Sequence, residues 1–142
     1  MHNGTSTHKN LLETARAAGS FTTLLAAIEH AGLTGTLIDS GPFTVFAPDD
    51  EAFAALPEGA VDSLLADPEI LTSVVSYHVV PDRLALVQVA YLRRAPTLQG
   101  ESLRLSLDGY LHIDGARLVE ADIEASNGVI HAIDRVLLPA QI

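Results

Sequence analysis

The chain of 142 residues carries 8 basic and 18 acidic side chains, a net charge of −10, no cysteine, and 48% hydrophobic residues. That balance lacks the basic footprint of a nucleic-acid or anionic-membrane binder, and the missing thiols exclude disulfides, cysteine catalysis and thiolate metal sites. A chain of this mass buries roughly two thirds of its surface on folding, enough for a core without covalent staples.

Residues 1–8 are polar and too poor in apolar groups to offset the entropy of ordering, so a disordered tail is expected there. No stretch approaches the ~20 apolar residues of a membrane helix. The first residues also lack the apolar core of a leader, so the chain reads as cytoplasmic or as the mature form of an exported protein. Leu11, Leu12, Ala15 and Ala18 fall at helical spacing up to Gly19. Ser20 is placed to cap a second helix, whose stripe of Phe21, Leu24, Leu25 and Ile28 runs to Gly32. A short helical turn over 34–38 follows. After Gly41-Pro42, Phe43 to Ala47 is a strand by its β-branched and aromatic content. Pro48-Asp49-Asp50-Glu51 opens a helix with carboxylates at the positive end of its dipole. Ala52, Phe53 and Leu56 continue it to Pro57, and residues 60–65 form another helical turn. Asp67-Pro68-Glu69 is a helix start. Ile70, Leu71, Val74, Tyr77 and His78 line one face of that helix up to Pro81.

Residues 84–94 are ambiguous: apolar and in part β-branched, they could form a strand and then a helix. From Leu98 the period drops to two, with Leu103, Leu105 and Leu107 alternating with Arg104 and Ser106. Asp108-Gly109, Asp114-Gly115 and Asn127-Gly128 each read as a tight type I′ turn, whose central residues need φ > 0. They bound strands at 103–107, 110–113, 116–125 and 129–138, joined too tightly to be anything but antiparallel neighbours. Helices followed by a strand meander predict the α+β class, in one domain over 9–139 with 140–142 as its end.

Three segments carry a family resemblance. Gly41-Pro42-Phe43-Thr44-Val45-Phe46-Ala47-Pro48 with Asp50-Glu51-Ala52-Phe53 resembles the first signature of the fasciclin (FAS1) domain. Tyr77-His78 before Val79-Val80-Pro81 resembles its central motif. Asn127-Gly128-Val129-Ile130-His131-Ala132-Ile133-Asp134, running to Val136-Leu137-Leu138-Pro139, resembles its second signature. They stand in the family's order and spacing, and the resemblance covers about residues 9–139. The chain is most similar to the small single-domain bacterial members, although Asp49 stands where Thr is commoner and Asp82 where Gly is common. The resemblance implies N-terminal helices packed on an antiparallel β-sheet wedge or sandwich built mainly from the C-terminal meander. Phe43, Phe46, Pro48, Asp50, Phe53, Asn127, Gly128 and His131 would be its structural motif residues. It also implies a secreted, periplasmic or cell-surface domain that acts in adhesion through protein contacts and is not an enzyme. By the same resemblance, Asp122-Ile123 and Tyr77-His78 correspond to positions linked to integrin contact in animal members, which makes them a candidate protein-interaction surface.

The residues themselves offer little chemistry. His131 shares a strand face with Val129 and Ile133, the setting of a core imidazole that donates to a carbonyl and stays neutral. His78 closes a helix, where its ring can meet the late carbonyls. Tyr77 reads as a packed ring with its hydroxyl on a polar partner. The six histidines show no i, i+4 pair and no His-x-His run, so no metal site is expected. No cofactor and no catalytic residue are expected either, since nucleophile elbow and phosphate loop are both missing. Asp49-Asp50-Glu51 reads as helix capping rather than calcium ligation. Asp122 and Glu124 alternate with Ile123 and Ala125, as a solvated strand face or as a contact site. Three functions stay open. One is a monomeric interaction module for a protein or matrix component, with no nucleic acid and no membrane span. Another is a small-ligand binder or enzyme with His78 or His131 in a cleft between helices and sheet. The third is a structural surface spacer.

Overall fold

The computed structural model describes residues 10–39, 41–57, 59–108 and 110–137. The expected tail, Gly109 and the chain end lie outside the described residues. α1 (Leu11–Ala18) opens on a capping box, in which the Asn10 side chain accepts from the Glu13 amide and the Glu13 carboxylate accepts from the Asn10 amide. It buries Leu11, Leu12 and Ala15 and stops at Gly19.

α2 (Thr22–His30) buries Leu24, Ala27 and Ile28. Its start corrects the expectation for Ser20, because no side-chain cap of that local kind forms. Instead Asp50 Oδ1 accepts from the Thr23 amide at 2.9 Å, and the Asp50 amide donates to the Ser20 carbonyl at 2.8 Å. A carboxylate is the stronger acceptor at the positive end of a helix dipole, so the tertiary cap wins.

α3 (Thr34–Asp39) leads into β1 (Phe43–Pro48). α4 (Asp50–Ala54) is capped by Asp49, whose Oδ1 accepts from the Ala52 amide at 2.8 Å. α5 (Ala60–Ala66) is followed by α6 (Pro68–Tyr77), which Asp67 caps in the same way. Next come β2 (Val79–Val80), α7 (Leu86–Val89) and β3 (Arg94–Pro96), so the ambiguous stretch holds one helical turn before an edge strand, the reverse of the expected order. β4 (Ser102–Asp108), β5 (Tyr110–Ile113), β6 (Ala116–Ala125) and β7 (Gly128–Ile133) complete the chain.

The strands form one sheet in the order β2-β1-β7-β6-β5-β4-β3, giving the expected α+β class. From β3 to β7 the neighbours are antiparallel, as a meander requires. The sheet as a whole is mixed, because β1 lies parallel to β7 from Phe43↔Gly128 to Pro48↔Ile133. Both of these strands are buried along their whole length, the condition under which parallel strands occur. On one side Phe43, Val45, Ala47, Ile130 and Ala132 join Leu11, Phe21, Leu24 and Leu71 of the helices. On the other, Phe46 and Ile133 join a second core containing Tyr77, Val89, Leu103 and Ile113.

Two boundaries differ from the sequence expectation. β7 ends at Ile133 rather than 138, where Asp134 turns aside and its Oδ1 accepts from the Arg117 amide at 2.8 Å. The last turn centres on Ser126-Asn127, since Ala125 pairs with Gly128. Gly128 therefore does not occupy a positive-φ turn position, whereas Asp114 and Gly115 do, at 49° and 87°.

Candidate functional site

The two signatures form one seam. Asn127 holds it from both ends of its side chain: Oδ1 accepts from the Leu11 amide at 3.0 Å and Nδ2 donates to the Leu37 carbonyl at 2.6 Å. Its carbonyl accepts from the Phe43 amide at 3.0 Å. Gly128 then passes so close to β1 that a Cβ on it would lie 2.1 Å from the Phe43 carbonyl oxygen. Further along, the Phe46 ring packs on the His131 ring with centroids 5.7 Å apart. Pro48 ends β1 opposite Ile133, and Phe53 is buried in the helix-side core.

His78 and His131 are interior groups, 2% and 1% exposed. The Leu137 amide donates to His78 Nε2 at 2.8 Å, so the proton sits on Nδ1, which donates to the Val74 carbonyl at 2.7 Å. In His131 the tautomer is reversed. The Asp122 amide donates to Nδ1 at 3.1 Å, and Nε2 donates to the Leu84 carbonyl at 2.7 Å. Each ring thus ties two separate segments together and has no nitrogen left for a ligand or a proton transfer. Replacing His131 by Leu strands the Leu84 carbonyl and the Asp122 amide, and should destabilise the fold by about 1–3 kcal/mol in urea denaturation.

Burial pulls the His78 pKa down from 6.5 to about 4, against the opposing pull of the Val74 hydrogen bond. Burial also lowers that of His131, partly offset by the Leu84 hydrogen bond and the Asp122 charge. The unfolded chain accepts a proton near pH 6.5 that the folded His78 refuses until about pH 4. Stability is therefore full above that window and falls as pH drops through it, by roughly 3 kcal/mol from His78 alone. Urea midpoints at pH 7 and pH 4.5 check this; equal midpoints would contradict it.

Tyr77 is 4% exposed. Its hydroxyl donates to Asp114 Oδ2, and burial first, then this hydrogen bond, raises its pKa. Of the four candidate contact residues, Tyr77 and His78 therefore stand inside, as clamps that hold α6 to the β5–β6 turn and to the chain's last described segment. The expectation that their side chains face a partner is corrected on this point. Asp122 is exposed and Ile123 half-buried against the helix-side core.

Asp122 is not a regular strand residue. It sits in a bulged part of β6 at φ 57°, and its Oδ1 accepts from the Leu86 amide at 2.8 Å, capping the start of α7. Sequence alternation missed this role, although an Asp in the middle of a strand is itself a signal of irregular backbone. Asp122→Ala loses the cap and forces Ala into a left-handed conformation, so a loss of about 1–2 kcal/mol is expected in a thermal melt. Asp122→Asn, which keeps an acceptor, should lose much less. Beside it, Arg83 donates to the Ala125 carbonyl at 3.2 Å and pairs with Glu124 at 3.3 Å. That exposed ion pair shapes the surface more than it stabilises it.

Among the described residues no group of three or more His, Asp or Glu converges as a metal site, and no helix is long and apolar enough to cross a membrane. A sequence model of the Fasciclin domain matches residues 19–139. "Protein sll1483" of Synechocystis sp. is 44% identical over 138 residues, covering 95% of this chain and 76% of that protein. "Transforming growth factor-beta-induced protein ig-h3" of Sus scrofa is 40% identical over 130 residues, which cover 91% of this chain and 19% of that much longer one. A solved FAS1 domain pair from the insect cell adhesion molecule Fasciclin I gives a TM-score of 0.66 at 23% identity, over 87% of this chain and 47% of that one, and speaks for the fold. Its two signatures joined in one parallel seam, and matched over most of its length, the chain belongs to the fasciclin domain family.

Proposed function

We propose that the chain is a non-enzymatic interaction module, secreted, periplasmic or displayed at the cell surface, that binds a protein or matrix component through the face made by α7 and the β6 bulge. One observation carries this reading: the molecule spends its signature side chains inside and leaves apolar ones in water on a small, well-anchored element. Val87 is 65% and Tyr91 86% exposed, on and just after α7. Such residues suit the role of contact anchors within a polar rim. Asp122, Arg83 and Glu124 supply that rim and Ile123 its inner edge. Tyr77 and His78 serve as supports. Membership of the fasciclin domain family supports the same class of function.

A cleft enzyme built on His78 or His131 lacks the free imidazole nitrogen that it needs. The test uses immobilised protein and counts retained cells or matrix material. Asp122→Asn combined with Val87→Ser and Tyr91→Ser should remove most of the binding while the melting temperature stays near that of the parent. Full binding by the folded triple variant would rule this face out, and no binding by the parent would leave the spacer reading.

A further inference from the structure

Another surface shares no exposed residue with that face. Three of the chain's 8 basic residues, Arg93, Arg94 and Arg104, line one open groove of about 1040 Å³ at the β3–β4 end of the sheet. Arg94 and Arg104 are direct cross-strand partners. The Arg104 amide donates to Asp114 Oδ1 at 2.7 Å, and its carbonyl accepts from the Asp114 amide at 2.8 Å. Both backbone groups thus point away from β3. The Arg94–Arg104 pair is therefore the close, non-hydrogen-bonded kind, with Cα atoms about 4.5 Å apart. Like charges directly opposite each other are destabilising. Among the described residues, none of the three guanidinium groups has a carboxylate within ion-pair distance.

The carboxylates in the groove wall are already engaged. Asp114 gives one oxygen to the Arg104 amide and the other to the Tyr77 hydroxyl. Glu101 Oε2 accepts from the Gln99 side chain at 3.1 Å. We infer that the groove binds an anionic saccharide unit, with its phosphate, sulfate or carboxylate group between the Arg94 and Arg104 guanidinium forks and its hydroxyls on Ser102 and Ser106. Planar forks match an oxyanion with paired hydrogen bonds. Ser102, Arg104 and Ser106 alternate along β4, which places a hydroxyl about 7 Å to either side of the charge. At about 1040 Å³ the open groove has room for a sugar unit beside its charged group. Single-stranded nucleic acid gains affinity by stacking its bases on exposed aromatic rings, and Tyr77 in the groove wall is 4% exposed. A long polyanion meets, all along its length, the repulsion of a chain whose net charge is −10, whereas a single sugar unit brings only one charged group against it.

β3 is also the sheet edge, and edge charge deters strand pairing between molecules. The experiment separates the two roles. Isotope-labelled protein in low-salt, phosphate-free buffer is titrated with glucose 6-phosphate, inorganic phosphate and glucose, read by amide shifts and calorimetry. Glucose 6-phosphate should shift the amides of Arg94 and of residues 102–106 saturably, bind more tightly than phosphate, and weaken as salt is added. Glucose should leave them unmoved. Arg94→Gln and Arg104→Gln, both at exposed positions, should each weaken binding roughly tenfold, and Arg16→Gln should not. Equal binding of phosphate and glucose 6-phosphate overturns the saccharide assignment, and equal binding of glucose overturns the oxyanion seat. No binding by any probe, with Arg94→Gln self-associating in light scattering, overturns the proposal in favour of edge protection.

Discussion

Gly128→Ala is expected to prevent folding or to destabilise the protein by more than ~4 kcal/mol in urea denaturation. A methyl group there would sit 2.1 Å from the Phe43 carbonyl oxygen and 3.1 Å from Leu11 Cδ2. Ordinary overpacking costs about 1–3 kcal/mol because side chains can move aside. Here the obstacle is backbone, held in a parallel ladder of six residue pairs. The strands can separate only by giving up the seam that Asn127 fastens to α1, α3 and β1. Gly115→Ala is the matched control. It has open space around it and a φ of +87°, so only backbone strain of about 1–2 kcal/mol applies. Similar small losses at both glycines would contradict the close approach of β1 and β7.

Phe46→Ala should destabilise the fold by ~3–5 kcal/mol. Phe46 is 0% exposed and sits in the second core with Tyr77, Leu103 and Ile133. Its amide donates to the His78 carbonyl at 2.8 Å, and its ring lies against His131. The residue thus joins all three signature segments at one point, and its neighbours belong to a sheet that cannot collapse into the space. Phe46→Leu keeps most of the volume and should lose clearly less. Leu107→Ala, at a position 63% exposed, should change stability by less than ~0.5 kcal/mol. A loss below ~1 kcal/mol for Phe46→Ala would show that the ring is not core.

These two residues also mark what local pattern can and cannot reveal. Apolar periodicity marks Phe46 and His131 as interior, and turn chemistry places the meander to within a few residues. Periodicity does not say which strand lies beside which. β1 and β7 are 85 residues apart between Phe43 and Gly128, and nothing local announces that they pair. Hence Asn127-Gly128 reads as a positive-φ turn, when the glycine in fact answers to a strand elsewhere. Ser20 fails as a cap for the same reason: the competing acceptor, Asp50, comes from a distant helix start. At the candidate contact surface, alternation places Asp122 and Ile123 on opposite faces. It misses the bulge, the cap on α7 and the exposure of Val87 and Tyr91, which follow from how a short helix rests on β6. For Tyr77 and His78 the residues themselves suggest a packed ring and a bond to the late helix carbonyls, as found, while the family resemblance suggests a contact surface. What the sequence does not show is that Asp114 and Leu137, from distant segments, supply the other partners.

The division between an imidazole-braced interior and a free outer face is tested most directly by nitrogen-detected NMR titration of the histidine rings in the folded protein. His78 should hold its proton on Nδ1 and His131 on Nε2, and both should stay neutral well below pH 6.5, with His78 charging only near pH 4. Either ring titrating near pH 6.5 in the folded state, or exchanging between tautomers, would mean that it faces solvent or a ligand, and the interior described above would be wrong.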